Sequence, residues 1–256
     1  MSMKPFAVLT LGALPFLAVA CGGGGEAPQQ APAGGAAKPA AAAATTGTAS
    51  VSGKVSFEGT PPPAEKVKLS ADAKCVEMHK DGLERQPIKV KDGGLADVLV
   101  YVKTGVSGTF PAPAEPVVLD QHGCDYAPHM VAMMVGQQLK IRNSDDTLHN
   151  IHPRPQANAE FNVGQPRKGM ESVKTFDKPE MLIPVGCDVH PWMRAFISVL
   201  SNPYFAVTGE DGAFEIKGLP AGEYEIEAAH GKLKTVSGKI TVKDGEAAKL
   251  DLAFKG

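Results

Sequence analysis

Residues 185–193 read VGCDVHPWM and carry three side chains that bind soft or borderline metals. Cys187 supplies a thiol, His190 an imidazole and Met193 a thioether, all within seven positions. Thiolate and thioether sulfur suit copper, and imidazole suits several transition metals. The stretch therefore predicts a metal site on a short loop, for which another part of the chain must supply a further ligand and the scaffold.

That further ligand is expected in the upstream stretch 139–150, LKIRNSDDTLHN. His149 follows an apolar β-like run and precedes Cys187 by 38 positions. His152 lies three positions further on, so on a strand it faces away from His149 and is not expected to be a ligand. Zinc also accepts thiolate and imidazole, but a thioether adds little for zinc, so Met193 favours copper.

The amino-terminal segment has the features of an export signal. Lys4 precedes an apolar run, Phe6 to Ala20, that is too short to cross a membrane. The run ends in LAVACGGGG, which resembles a bacterial lipoprotein signal and implies cleavage before Cys21 and a lipid on Cys21. The alternative is an ordinary signal peptide with a chance cysteine. Residues 1–20 are thus expected to be a signal peptide and residues 21–49, rich in Gly, Ala and Pro, a disordered tether.

The parity of the cysteines then predicts a disulfide. With Cys21 lipidated, three of the four cysteines remain: Cys75, Cys124 and Cys187. Export places the chain in an oxidising compartment, where two of the three are expected to pair. The ligand pattern around Cys187 makes Cys75 and Cys124 the predicted pair, and a link from either of them to Cys187 is the alternative.

From residue 50 onward, short β-rich runs alternate with turn residues, and no long stretch has helical periodicity. One short helical turn fits within residues 61–82. Asp211-Gly212 and Asp244-Gly245 are typical of tight hairpins. The pattern predicts an all-β protein built from Greek-key sandwiches. The formal net charge is −2 and there is no block of Lys or Arg, so we expect no nucleic-acid binding.

The pair His149-Asn150, followed by CDVHPWM, resembles the cupredoxins, the blue copper proteins of plastocyanin, azurin and amicyanin type. The resemblance covers about residues 115–200, within a domain expected over 109–200, and implies a Greek-key cupredoxin sandwich with one type 1 copper ion. It implies that His149, Cys187 and His190 bind the copper and that Met193 is a more distant axial ligand.

The same resemblance assigns roles to residues around the ligands. It implies that Asn150 hydrogen-bonds the Cys187–Asp188 loop and directs its backbone N–H at the sulfur. It also implies that His190 reaches the protein surface inside an apolar collar that includes Trp192, where it serves as the port for electrons.

The segments on either side of the cupredoxin-like region have their own resemblance. The stretch 204–242, which contains DGAFEIKGLPAGEY, resembles a carboxypeptidase-regulatory-like, or transthyretin-like, sandwich. We expect residues 50–108 and 201–256 to form that sandwich together, with 109–200 inserted between its strands. The alternative is that the upstream strands complete the cupredoxin itself.

These features lead to one functional hypothesis and two alternatives. The first is a lipid-anchored electron carrier of the bacterial cell envelope, periplasmic or at the outer membrane, that exchanges single electrons with redox proteins such as a c-type cytochrome or a periplasmic oxidoreductase. The second is a copper delivery or storage lipoprotein, and the third a structural envelope protein with a decayed site. An enzyme is not expected, because a centre with four protein ligands has no open position for a substrate.

Overall fold

The computed structural model describes residues 46–69 and 72–256. The predicted signal peptide, Cys21 and most of the predicted tether lie outside these residues. The described chain contains one short helix, α1 (Ala73–Met78), within the range expected to hold a helical turn. All other regular structure is β, which confirms the all-β prediction. No helix within the described residues has the length and apolar character needed to cross a membrane.

The described chain contains twenty-one strands. In order, they are β1 (Ala49–Glu58), β2 (Glu65–Val67), β3 (Leu83–Arg85), β4 (Val90–Lys91), β5 (Gly94–Leu95), β6 (Leu99–Thr104), β7 (Val117–His122), β8 (Asp125–Ala127), β9 (Met130–Met134), β10 (Leu139–Asn143), β11 (His149–Pro153), β12 (Val163–Gln165), β13 (Glu171–Lys174), β14 (Glu180–Gly186), β15 (Arg194–Leu200), β16 (Phe205–Val207), β17 (Ala213–Leu219), β18 (Gly222–Ala229), β19 (Val236–Val242), β20 (Ala247–Lys249) and β21 (Leu252–Lys255).

Strands β7 to β15 form the two sheets of what we call the central sandwich. One sheet has the order β13-β10-β7-β8 and the other β12-β11-β14-β15-β9. The alternating pattern of β10 points Leu139, Ile141 and Asn143 inward. The two apolar side chains join a core that also contains Ile151, Ile197 and other residues of both sheets.

The remaining strands, apart from β2 and β3, form the two sheets of what we call the flanking sandwich. In the first, β1 pairs with β17 (antiparallel), with β20 and β21 (both parallel) and with β5, which in turn pairs with β4. The second has the order β16-β6-β18-β19. Both sheets therefore combine strands from before residue 109 with strands from after residue 201. Strands β2 and β3 pair with each other in a separate small sheet.

Strand β1 packs closely against the segment that connects β20 and β21. Ala49, Val51, Val55 and Phe57 alternate inward along the strand. Between them lies Gly53, where an added Cβ would stand 1.9 Å from the carbonyl oxygen of Leu250. The close approach of these two backbones therefore requires glycine.

The two predicted hairpins are wrong, although both turns exist. Asp211-Gly212 connects β16 to β17, but β16 pairs with β6 and β17 pairs with β1. Asp244-Gly245 connects β19 to β20, which likewise belong to different sheets. A tight turn reverses the chain, but the burial of apolar faces decides which sheet each strand joins.

An apolar cluster joins the two sandwiches. Leu99 of β6 packs with Met130 of β9 and Leu200 of β15, all three of them buried. The half-buried rings of Phe196 and Phe205 pack against the same cluster. The central sandwich is thus held by its neighbour on the side that contains β9 and β15.

Candidate metal centre

Three potential metal ligands meet at one end of the central sandwich. His149 is the first residue of β11, Cys187 follows the last residue of β14, and His190 lies in the loop between β14 and β15. One donor atom from each of them lies within 4.8 Å of the other two. His149 and His190 are fully buried and Cys187 is nearly so.

The donor atoms that face one another are two imidazole nitrogens and a sulfur. The Nδ1 atoms of His149 and His190 are 2.9 Å apart, and the Nδ1 of His190 is 3.8 Å from the Sγ of Cys187. The two rings meet edge to face, with centroids 4.7 Å apart. This is a compact set of one thiol and two imidazoles.

Met193 belongs to the same loop and the same core. Its side chain is fully buried in the cluster that contains Cys187. Its backbone N–H donates to the carbonyl of His190 at 2.9 Å, and its own carbonyl accepts from Cys187 at 3.4 Å. These bonds fold residues 187–193 into a tight loop, which brings the thiol, imidazole and thioether of the motif into one buried region.

A carboxylate contacts the Nε2 atom of each imidazole. The Nε2 of His149 lies 2.9 Å from Asp145, and the Nε2 of His190 lies 3.1 Å from Asp72. A carboxylate accepts a hydrogen bond from the protonated Nε2, and this leaves Nδ1 as the ring nitrogen that can bind a metal. Metal-binding histidines are commonly oriented in this way. Sequence reasoning missed both carboxylates.

The loop before His149 explains the position of Asp145. Asn143 is a buried polar residue at the end of β10; its amide donates to the carbonyls of Thr147 and Gln165, and its Oδ1 accepts from the backbone of Asp145. Asp145 also accepts from the backbone N–H groups of Gly123 and Cys124, both at 2.8 Å. Asp145 and His149 are four positions apart, and this short separation is the sequence signal that could have indicated their contact.

The electrostatics of the centre favour a thiolate. Burial alone would raise the pKa of Cys187, but hydrogen bonds from His149, from His190 and from the backbone of Asn150 lower it to about 6. Burial would likewise favour neutral His149, yet Asp145 and Cys187 raise its pKa to about 9. In the metal-free protein at neutral pH, an anionic sulfur therefore faces a cationic imidazole.

Asn150 ties the two ligand-bearing segments together. Its Oδ1 accepts from the backbone N–H of Asp188 at 2.8 Å and lies 3.2 Å from the Sγ of Cys187. Its amide nitrogen donates to the Asp188 carboxylate at 3.0 Å. His152, which was not expected to be a ligand, contacts Asp188 through Nδ1 and Glu160 through Nε2.

The expectation that His190 reaches the surface is wrong. Its Nε2 edge is closed by Asp72 and by the sulfur of Cys75, which lies 3.7 Å away. Asp72 caps α1 by accepting from the backbone of Lys74 and Cys75. The helix and its cap, residues 72–78, therefore lie over the imidazole, and we call them the cover. Sequence reasoning could not find this cover, because Asp72 and His190 are 118 positions apart.

The predicted disulfide between Cys75 and Cys124 is confirmed. It links the cover to the turn between β7 and β8, whose backbone also holds Asp145. Among the described residues, Cys187 is the one free cysteine. The cysteine that parity left over is therefore the thiol of the centre.

Comparisons with known proteins return structural similarity alone. No family model and no curated protein matches the chain. A copper-containing nitrite reductase from Thermus scotoductus is 22% identical with a TM-score of 0.33, and the match covers 40% of this chain and 25% of the reductase. A purple cupredoxin from Nitrosopumilus maritimus is 19% identical (TM-score 0.29), with 33% of this chain and 99% of that protein covered. A mutant of amicyanin is 22% identical (TM-score 0.30), with 33% and 82% covered.

Proposed function

We propose that the chain is a type 1 copper protein that carries single electrons in the cell envelope. The observation that carries this proposal is the buried set of His149, Cys187 and His190, with Met193 in the same core. Two imidazoles, a thiolate and a thioether form a donor set that suits copper in both oxidation states. Copper bound by these residues would supply a reversible one-electron couple.

The residues fit the metal in charge, and a metal ion that binds His149 would displace the proton from its Nδ1. The pKa of Cys187, about 6, makes the thiolate available at neutral pH. Asp145 and Asp72 fix the two imidazoles by their Nε2 atoms and leave Nδ1 to bind. Met193 distinguishes copper from zinc, because zinc gains little from a thioether.

The packing of the centre favours a carrier over a store. Asn150 holds the Cys187–Asp188 segment to β11, and the cover closes the outer edge of His190. Donors that are fixed in this way move little when the charge of a bound ion changes, which favours fast electron exchange. A delivery protein needs an open route for the metal, and here His149 and His190 are fully buried.

The experiment that separates these functions is voltammetry of the copper-loaded full chain. We expect a reversible one-electron couple with copper retained through repeated cycles. Met193→Gln should lower the potential, because a harder oxygen donor favours Cu(II). The control is Met181→Gln, which changes an exposed methionine on β14 and should leave the potential unchanged. Loss of copper on reduction would instead support delivery or storage, and a potential indifferent to Met193 would exclude it as a ligand.

The cellular setting is a separate part of the proposal. A lipid on Cys21 and a tether over residues 21–49 would hold the folded sandwiches at a membrane surface, where redox proteins such as a c-type cytochrome can reach them. Labelled palmitate should be incorporated by the full chain in a bacterial host and not by Cys21→Ala. Equal labelling of both proteins, or of neither, would contradict the lipid anchor.

A further inference from the structure

Trp192 connects the buried centre to the protein surface. Its ring lies 5.0 Å from the ring of His190, centroid to centroid, at an angle of 48°. Its Nε1 donates to the carbonyl of Cys124 at 2.9 Å, which fixes the indole beside the disulfide. The ring is only half-buried, and its outer part lines a groove. Since Asp72 and Cys75 close the Nε2 edge of His190, the indole is the aromatic contact between that ligand and the outside.

The groove beside Trp192 is basic. It has a volume of about 480 Å³ and lies between the small β2-β3 sheet and the start of β15. Its charged lining consists of four cations and one anion: Lys66, Lys68, Arg85, Arg194 and Glu65. The whole chain has a formal net charge of −2, so this concentration of positive charge is local to the groove.

The cations of the groove are available to a partner. None of the four forms an ion pair with a described residue. Lys66, Lys68 and Arg194 are exposed, and Arg85 is half-buried. The Nε of Arg194 donates to the carbonyl of Pro191, and its guanidinium makes no other hydrogen bond within residues 46–69 and 72–256. The charges of Asp125 and Glu65 act on Arg85 but do not balance four cations.

We propose that this groove docks the acidic face of a redox protein and that Trp192 carries the electron between that partner and His190. The inference rests on the proposed electron-carrier function. Unpaired cations around a concave surface attract and orient an anionic partner, and a small charged contact permits rapid release. With copper bound, the partner would lose one electron to the centre in each encounter, and no covalent bond would change.

The charge of the groove can be tested without copper, because Trp192 is the only tryptophan of the chain. In the metal-free full chain, iodide should quench its fluorescence several times more strongly than caesium at low salt. Lys66→Glu/Lys68→Glu should reverse this order. The matched control is Lys239→Glu/Lys249→Glu, which makes the same change in net charge at exposed lysines away from the groove. An absent preference, or an equal response of both double variants, would overturn the basic groove.

The electron route is tested with the reduced, copper-loaded full chain in stopped-flow oxidation by hexacyanoferrate(III). The groove double variant should react about tenfold more slowly at low salt, and the control double variant within about twofold of the parent. Trp192→Leu should slow the reaction with an unchanged absorption spectrum, and Trp192→Phe should restore most of the rate. Rates indifferent to Trp192 and to the groove lysines would overturn the proposal.

Competition separates a docking surface from a pocket for small anions. A peptide of about ten glutamates should inhibit the oxidation, whereas phosphate at equal charge and ionic strength should not. Equal inhibition by phosphate would overturn protein docking. If the chain takes up no copper, its absorption spectrum shows this before any kinetic measurement. That result would overturn the electron-carrier function together with the electron route. A copper-loaded chain with groove-independent rates would overturn the route alone.

Discussion

The two sandwiches of this protein place very different residues in their interiors. In the central sandwich and its ligand loop, the buried polar residues are Gln121, Gln137, Asn143, Asp145, His149, Asn150, Gln165, His190 and Ser198. In the flanking sandwich they are Thr208, Glu227 and His230. A buried polar group costs stability unless it is hydrogen-bonded. Many such groups in one region therefore indicate that they hold functional side chains in position. The comparison indicates that the flanking sandwich supplies a packed support and the central sandwich the chemistry.

The largest effect on stability is expected from the disulfide of the cover. Cys75→Ser/Cys124→Ser removes a link across 49 positions, which should lower the free energy of unfolding by about 4 kcal/mol on the loop-entropy estimate. Urea denaturation of the metal-free variant and of the oxidised parent measures it, and the parent under reducing conditions is the control that should match the variant. A loss below about 1 kcal/mol would show that the cover is held without the link.

A core substitution in the flanking sandwich should change stability without changing the metal centre. Leu95 is fully buried there, and Leu95→Ala should cost about 3 kcal/mol by loss of apolar contacts and formation of a cavity. The visible spectrum of the copper-loaded variant should match that of the parent. A shifted or lost spectrum would mean that the flanking core also shapes the centre, and the division of roles between the sandwiches would be wrong.

A smaller effect is expected from acid at His230, which lies in the loop after β18. Burial lowers its pKa to about 4 from an ordinary value of 6.5, although the charge of Asp97 acts in the opposite direction. Below pH 6.5 the unfolded chain binds a proton that the folded chain refuses, so stability falls as the pH falls toward 4. Between pH 7.5 and pH 5 the loss should be about 2 kcal/mol.

The matched variant for this prediction is His230→Gln, which keeps a polar side chain but does not titrate. Denaturation of both metal-free proteins at the two pH values isolates the contribution of His230 from that of the carboxylates and of Cys187. Identical pH dependence in the two proteins would contradict the prediction.

The sequence allowed the local parts of this architecture to be predicted. The β class follows from alternating runs. Cys187 and His190 were found from donor types at short spacing in one loop, and His149, 38 positions before Cys187, was expected because it follows a predicted strand. Parity left three cysteines to be assigned, and the metal-ligand pattern around Cys187 then made Cys75–Cys124 the predicted disulfide.

The non-local parts could not be predicted. No motif connects Asp72 to His190, since the contact depends on how the segment before β3 crosses the end of the central sandwich. The hairpins failed for a similar reason: turn residues fix a reversal of the chain but not the sheet that each strand joins. The groove beside Trp192 combines residues from β2, β3 and β15, which are distant in sequence and come together only in the fold.

Visible absorption during titration of the full chain with Cu(II) tests the claim that His149, Cys187, His190 and Met193 hold one copper ion. An intense blue band from thiolate-to-copper charge transfer should grow and saturate at one equivalent. Cys187→Ser should show no such band while its far-ultraviolet circular dichroism stays that of the parent. A parent protein that remains colourless at saturating Cu(II), or a band that persists in Cys187→Ser, would contradict the claim.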